Sequence, residues 1–192
     1  MSAPLNIWPN NLLTGDIILT RDEAGFFAKA IRWFGARATG SARVNHVAVY
    51  AGIINGEGCV IEEAGKLRIT PLYKYLDTPC VVYQMPVLTE AQRSAIVWQL
   101  LEPIGQGYGW GKIPLFALDG LFKTYFFTRF FGLTSFKVCS QAAAWAYDKV
   151  MGFDVFGINW KSATPDNIDD WCSNHDAWVE IHNTLPTQEE NA

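Results

Sequence analysis

Short runs of β-branched and aromatic residues, bounded by turn signals, predict the strands of this chain. The clearest pair is HVAVYAGII at 46–54 and CVIEEA at 59–64, because the NGEG stretch between them predicts a tight hairpin turn. The same pattern predicts further strands at 15–20, 79–87 and 177–182. A single antiparallel sheet accommodates all of them.

Apolar residues at helical spacing predict helices between and after the strands. Thr89 caps a helix over 90–101, and Thr164 with Pro165 opens a helix over 165–172. Further segments with this spacing are 23–35, the aromatic stretch 113–136 and the stretch that follows Val138. Strands and helices together predict an α+β fold, in which an antiparallel sheet packs against helices.

Composition limits the number of domains and the kinds of partner. The chain has 192 residues, of which 49% are hydrophobic and 18% charged. These values suit one domain over 1–192, with a core at about 12–183 and a flexible tail at 184–192. The formal net charge is -4 and the 15 Lys and Arg residues are scattered, so nucleic acid is not an expected partner.

The distribution of apolar residues indicates whether the protein is exported or inserted into a membrane. The first residues lack a basic region followed by an apolar run, so a cytoplasmic protein is expected. The most apolar stretch, 113–136, is interrupted by Asp119, Lys123 and Arg129 and is not expected to cross a bilayer. Its aromatic residues are interpreted first as ordinary packing. An apolar substrate groove and a peripheral lipid contact are the alternatives.

Cys139 is the cysteine that most needs a chemical explanation. The chain has four cysteines, too few and too scattered for a disulfide scaffold, so all are expected to be free thiols. Cys139 stands at the predicted start of a helix that presents alanines on the same side. A helix N-terminus stabilises a thiolate, and the backbone N–H groups of Cys139 and Ser140 can stabilise an oxyanion. The alternative is a small buried apolar residue.

A reactive thiolate needs a base, and the chain has three histidines, at 46, 175 and 182. His46 opens an apolar strand, whereas the other two lie in or near the polar C-terminal segment. We therefore expect His46 to be the base for Cys139. An imidazole in that role needs an acceptor to orient it, and the paired strand offers Glu62 and Glu63.

The hairpin register decides between the two glutamates. A turn of two or four residues makes directly opposed positions sum to an odd number, which places Glu63 on the face of His46. A three-residue turn places Glu62 on that face instead. We expect Glu63 to orient His46, with Glu62 as the alternative.

The order of these motifs resembles a known family. The segments GDIILT, NHVAVYAG, VIEEAG, GQGYGW, VCSQAAAWAYDKV and TPDNI, spread over about residues 12–172, are similar to those of circularly permuted NlpC-type, papain-like cysteine hydrolases. The resemblance is closest to the YiiX/YebB-like branch, which is related to lecithin retinol acyltransferase. It implies a permuted papain-like fold with His46 as base, Glu63 as orienting group and Cys139 as nucleophile. It also implies acyl transfer through a thioester, without a metal or other cofactor.

These residues leave three functions open. The first is cleavage of a peptide or isopeptide bond, such as those of peptidoglycan. The second is acyl hydrolysis or acyl transfer on lipid-like substrates, and the third is a binding module that keeps the fold without the reaction. Tyr50, Tyr108 and Trp110 are candidates for lining the substrate site. Cys172 and His175 do not make a zinc site, because two further ligands at suitable spacing are missing.

Overall fold

An antiparallel sheet of six strands organises the described part of the chain, which in the computed structural model comprises residues 9–21, 43–105, 122, 124 and 138–186. The order of the strands across the sheet is β4-β3-β2-β1-β5-β6. In chain order they are β1 (Ile17–Thr20), β2 (His46–Ile54), β3 (Glu57–Glu63), β4 (Leu67–Pro71), β5 (Cys80–Gln84) and β6 (Val179–Asn183). Of these, β4 was not predicted from the sequence.

Within the described residues, three α-helices accompany the sheet: α1 (Glu90–Leu101), α2 (Cys139–Met151) and α3 (Pro165–Asn174). Short 3-10 helices occupy Leu72–Tyr75 and Trp160–Ser162. The predicted caps are present, because the side chains of Thr89 and Thr164 accept hydrogen bonds from backbone N–H groups in the first turns of α1 and α3. The α+β prediction is confirmed. The predicted helix at 23–35 lies outside the described residues, as does 113–136 apart from positions 122 and 124.

The central strands β1, β2, β3 and β5 are largely buried on both faces. On one face, alternate strand residues such as Val47, Val49 and Ile61 pack with α1 and α2 in the main core. On the other face, Ala48, Val60 and their neighbours form a second cluster with the 3-10 helix at 72–75. His46 has the same parity as Ala48 and therefore belongs to the second face. No described helix has the length and apolar character needed to cross a bilayer.

The hairpin between β2 and β3 contains a bulge. Asn55 and Gly56 form its two-residue turn, with φ of 52° and 86°, as a type I′ turn requires. Beyond the turn, Gly52 pairs with Cys59 but Tyr50 pairs with Val60, so one residue of β2 is left without a partner in the ladder. The sum of opposed residue numbers therefore changes from odd to even, and Ala48 lies opposite Glu62.

Helix α2 is held in place by two side chains that lie inside the core. The Ser140 hydroxyl donates to the carbonyl oxygen of Ala163 at 2.7 Å. One turn before the end of the helix, the Tyr147 hydroxyl donates to the carbonyl oxygen of Gly15, next to β1. Because both residues are fully buried, these bonds fix α2 at its first turn to the segment before α3, and near its last turn to the backbone before β1.

We expect Gly52→Ala to lower the free energy of unfolding by about 1–2 kcal/mol or more, because a Cβ at φ of 93° is strained. The added Cβ would also lie 3.0 Å from Oγ1 of Thr14. Urea unfolding of the purified variant measures the change. Gly56→Asn is the control, since Asn tolerates a positive φ and the Gly56 position is open. Equal stabilities of the two variants would contradict this account of the bulge.

Candidate active site

His46 lies at the first position of β2, with 20% of its side chain exposed. Its Nε2 atom is 2.8 Å from Oε2 of Glu62, on the neighbouring strand β3. The two residues are diagonal neighbours on one face, because Glu62 lies directly opposite Ala48. The ladder itself therefore brings the imidazole and the carboxylate together.

Glu62 is the most heavily hydrogen-bonded side chain of the site. Its Oε2 atom also accepts from the Tyr75 hydroxyl at 2.6 Å, and its Oε1 atom accepts from the Thr70 hydroxyl at 2.6 Å. Arg68 donates to Oε1 from Nε at 3.0 Å and from Nη2 at 2.9 Å. Burial alone would raise the pKa of Glu62, but the hydrogen bond and charge of His46, with the two hydroxyl donors, hold it far below its usual range. The carboxylate is therefore ionised.

The glutamate that meets His46 is Glu62, so the expectation of Glu63 was wrong. The predicted two-residue turn is present, but the bulge between Tyr50 and Gly52 reverses the parity that the turn sets. Glu63 is buried on the helix-covered face, where it pairs with Leu67 of β4. The alternative that the sequence left open is the one found in the structure.

Cys139 is the second residue whose side chain acts on the imidazole of His46. Burial alone would lower the pKa of His46, but the charge and hydrogen bond of Cys139, followed by those of Glu62, raise it to about 10. Since Nε2 faces Glu62, Nδ1 is the ring nitrogen left for the thiol. The carboxylate is bonded to one nitrogen of the imidazole, and the Cys139 side chain acts on the same ring. The catalytic roles expected of His46 and Cys139 stay a prediction.

Tyr75 is a member of the site that the sequence did not indicate. Its hydroxyl oxygen lies 3.5 Å from Nε2 of His46, in addition to donating to Glu62. Burial raises the pKa of Tyr75, and the negative charge of Glu62 raises it further, so the hydroxyl keeps its proton and remains a donor. Thr70 and Arg68 were also missed. The alternation in LRIT at 67–70 is a weak strand signal that would have placed both on the face of Glu62.

The remaining predicted residues have other positions. The Ser140 side chain is directed to the Ala163 carbonyl, so any part that it plays at the thiol falls to its backbone N–H. Tyr50 is buried among Ala48, Val60 and Leu72, which assigns it to packing rather than to a substrate surface. Tyr108 and Trp110 lie outside the described residues, so their predicted contact with substrate stays a prediction.

A cleft of about 630 Å³ lies away from His46, between the loop at 154–162 and α3. The His175 ring there stacks on Trp171 with centroids 3.5 Å apart, and its Nδ1 is 2.9 Å from the Trp171 carbonyl oxygen. Burial raises the pKa of the nearby Cys172 well above its ordinary value. Across the described ranges, no three His, Cys, Asp or Glu side chains are grouped so that they could hold a metal ion.

Comparison with known proteins identifies the fold. The sequence matches no protein-family profile and no curated protein. The structure matches the crystal structure of metalloprotein YiiX from Escherichia coli O157:H7, a DUF1105 protein, with a TM-score of 0.62 and 17% sequence identity. The match covers 90% of this chain and 98% of YiiX. The chain therefore has a YiiX-like α+β fold, and at this identity the likeness extends to the fold alone.

We expect the His46 imidazole to titrate near pH 10 in the wild type and at a clearly lower pH in Cys139→Ala. The substitution removes the strongest contribution that favours the imidazolium and leaves burial, which opposes it. Two-dimensional NMR of the ring protons measures all three histidines separately. His182, whose pKa burial lowers, is the internal control. An unchanged His46 titration in Cys139→Ala would mean that thiol and imidazole do not interact.

Proposed function

We propose that this chain is a cysteine hydrolase that cleaves an amide bond, in a peptide or isopeptide, through a thioester intermediate. The observation that carries the proposal is the His46 imidazole, which is hydrogen-bonded to Glu62 and whose pKa is raised by the Cys139 side chain. A nucleophile, a base and an orienting acceptor in this arrangement are the components of cysteine-dependent acyl transfer.

In the first half of the reaction, Cys139 in its thiolate form attacks the substrate carbonyl carbon. A sulfur–carbon bond forms, and the carbonyl oxygen takes up the negative charge. The His46 imidazolium then donates its proton to the amine nitrogen as the carbon–nitrogen bond breaks. The products of this half are a free amine and an acyl group held on Cys139 as a thioester.

In the second half, neutral His46 accepts a proton from a water molecule that attacks the thioester carbonyl. The carbon–sulfur bond breaks, the carboxylic acid leaves, and the thiolate–imidazolium pair is restored. Glu62 holds the ring by Nε2 throughout, so that the other ring nitrogen remains directed at the reacting atoms. Tyr75 and Thr70 fix the carboxylate in turn.

The N-terminus of α2 supplies the stabilisation of the oxyanion in this proposal. The helix has 13 residues and begins at Cys139 itself, with Val138 as its N-cap and no side chain capping it among the described residues. Backbone N–H groups in the first turn of a helix have no intrahelical acceptor. The N–H groups of Cys139 and Ser140 are therefore placed beside the carbonyl that the sulfur attacks.

The chain order of the three residues supports a permuted papain-like relationship. His46 and Glu62 come first, on adjacent strands, and Cys139 follows at a helix start. This order is the reverse of that in papain and corresponds to the family that the sequence resembles. The YiiX-like fold is compatible with this assignment.

The two other functions have less support from the described residues. The lipid-like substrate was inferred from the aromatic stretch 113–136, nearly all of which lies outside them. A binding module without the reaction has no need of an ionised, buried Glu62 beside a protonated His46. Burying these two charged groups costs desolvation free energy. A catalytic role explains why a protein keeps them, whereas simple binding does not.

YiiX is described as a metalloprotein, and the donor atoms around His46 do not suit a metal ion. Both oxygens of Glu62 already accept from hydroxyl or nitrogen donors. The Arg68 guanidinium lies 2.9 Å from Oε1 of Glu62, so a cation placed there would be repelled. We therefore assign no step of the reaction to a metal.

We expect Cys139→Ala to abolish turnover of any substrate while leaving the fold intact, because it removes the nucleophile and little volume. A panel of γ-glutamyl peptides, isopeptides and fatty-acyl esters, followed by mass spectrometry for an acyl group on Cys139, measures the reaction. Cys59→Ala is the control, since Cys59 is buried elsewhere. Wild-type turnover of esters alone would support the lipid alternative, and turnover of nothing would support the binding module.

We expect Glu62→Gln to reduce turnover, or alkylation of Cys139, by about tenfold or more, because His46 loses the charge that orients it. Glu63→Gln should have a smaller effect, since Glu63 lies on the opposite face. Rates are compared at equal folded fraction, which urea unfolding provides. The reverse ranking would show that the register at the bulge is not the functional one.

A further inference from the structure

Asp169 joins three parts of the fold at one buried carboxylate. It lies on α3 and is 3% exposed. Its Oδ1 atom accepts from the Tyr83 hydroxyl of β5 at 2.8 Å, and its Oδ2 atom lies 3.2 Å from Nε of Arg43. Arg43 precedes His46 closely, at the entry to β2. The carboxylate therefore ties α3 both to the sheet and to the chain that leads into the proposed base.

The entry to β2 depends on contacts outside the sheet. His46 is the first residue of β2 and lies opposite Thr20, the last residue of β1. The N–H group of Asn45 still donates to the carbonyl oxygen of Thr20 at 2.9 Å, but residues 43–45 belong to no strand. At Arg43 the ion pair with Asp169 attaches the chain to α3 instead. The backbone that carries His46 is thus held by the ladder on one side and by α3 on the other.

The segment before α3 holds the helix that carries Cys139. The carbonyl oxygen of Ala163 accepts from the Ser140 hydroxyl at 2.7 Å, and Ser140 follows Cys139 directly. The Gln141 side-chain amide donates to the carbonyl oxygen of Lys161. The first turn of α2 is therefore attached to residues 161–163, which lead into α3.

A capped helix turn separates the two attachments. The Thr164 hydroxyl accepts from the backbone N–H of Asn167, and the Asn167 side chain accepts from the backbone N–H of Thr164, both at 3.2 Å. This capping box fixes the start of α3. Asp169 lies in the second turn of the same helix, so its separation from Ala163 is set by helix geometry. The first turn of α2 and the entry to β2 are both attached to this one piece of backbone.

The ion pair has a cost that packing alone does not require. Burial raises the pKa of Asp169, and the charge of Arg43 with the Tyr83 hydroxyl opposes that rise. The Asp169 side chain is 4% exposed and that of Arg43 is 32% exposed. Two apolar side chains would pack at this place without the desolvation cost. What a charged pair adds is a defined distance and direction between the two backbones that carry it.

We propose that Asp169 is a positioning residue that, through Arg43, sets the place of His46 relative to Cys139. The inference rests on the proposed function, because it takes His46 as base and Cys139 as nucleophile. Asp169 acts indirectly, by holding the elements that carry the two residues at one separation. A displacement of about 1 Å that arises far from the reacting atoms is enough to slow a reaction about a hundredfold.

Asp169→Asn tests the proposal with little change of shape. The amide oxygen can still accept from Tyr83, but the charge that holds Arg43 is lost. We expect the rate of alkylation of Cys139 by iodoacetamide at neutral pH, measured by peptide mass spectrometry, to fall about tenfold. Arg43→Gln should give the same fall by removing the other partner. The double variant should be no slower than either single variant, because the effect passes through one contact.

The titration of His46, measured by NMR, separates a change of position from a direct effect of charge. Burial opposes the charged ring, and Cys139, followed by Glu62, raises the pKa of His46 to about 10. A displaced ring should therefore titrate at a lower pH in Asp169→Asn, with little further change when Cys139→Ala is added. Loss of the Asp169 charge alone would lower the pKa of His46 equally with and without Cys139. An equal shift in the two backgrounds would overturn the proposal.

Thr89→Ala is the matched control, because it removes the cap of α1 at an exposed position and lowers stability without touching either member of the ion pair. At equal folded fraction, which urea unfolding provides, its rate of Cys139 alkylation should equal that of the wild type. A fall as large as that in Asp169→Asn would mean that any loss of stability slows the thiol, and the inference would be wrong.

The remaining outcomes separate this inference from the proposed function. Wild-type alkylation rates in both Asp169→Asn and Arg43→Gln would show that the ion pair positions nothing, and the proposed function would stand. Should Asp169→Asn fail to fold, Arg43→Gln gives the same test at a side chain that is partly exposed. If Cys139 is not alkylated in the folded wild type, the proposed function is wrong and this inference with it.

Discussion

The buried carboxylate of Glu62 is the group on which the rest of the site depends. It is 6% exposed, and an ionised carboxylate at that depth is stable only when each oxygen has partners. Two hydroxyls, an imidazole and a guanidinium supply them, from β2, β4 and the 3-10 helix that follows β4. Those elements are thereby held in one arrangement, and the imidazole that reaches Cys139 is oriented as a consequence.

The elements of the fold could be predicted from the sequence because their signals are local. The Asn55–Gly56 turn, the Thr89 and Thr164 caps and the runs at 46–54 and 59–64 each indicate their own structure. Strand β4 was missed because LRITP is short and ends in Pro71, which looks like a loop residue. Its strand conformation comes from pairing with β3, which is information that no window of a few residues contains.

The candidate site was predictable in part for the same reason. His46 and Cys139 stand out as polar or reactive residues inside apolar elements, and the Cys139 side chain raises the pKa of His46. The choice between Glu62 and Glu63 depended on a bulge around Gly52 that turn length does not reveal. Tyr75 belongs to a separate element and reaches Glu62 across 13 positions of sequence, so only the tertiary structure identifies it.

Because both faces of β3 are buried, its register with β2 is set by something other than hydrophobic burial. From Cys59 to Glu63 every side chain is buried, so neither orientation of the strand would expose apolar groups to water. Exclusion of apolar groups from water therefore does not favour one register over a register shifted by one residue. The first brings Glu62 to the His46 imidazole and the second would bring Glu63. The alignment is set instead by the backbone at Gly52 and Gly56, where positive φ angles form the bulge and the turn. Two residues without side chains thus select which glutamate contacts His46.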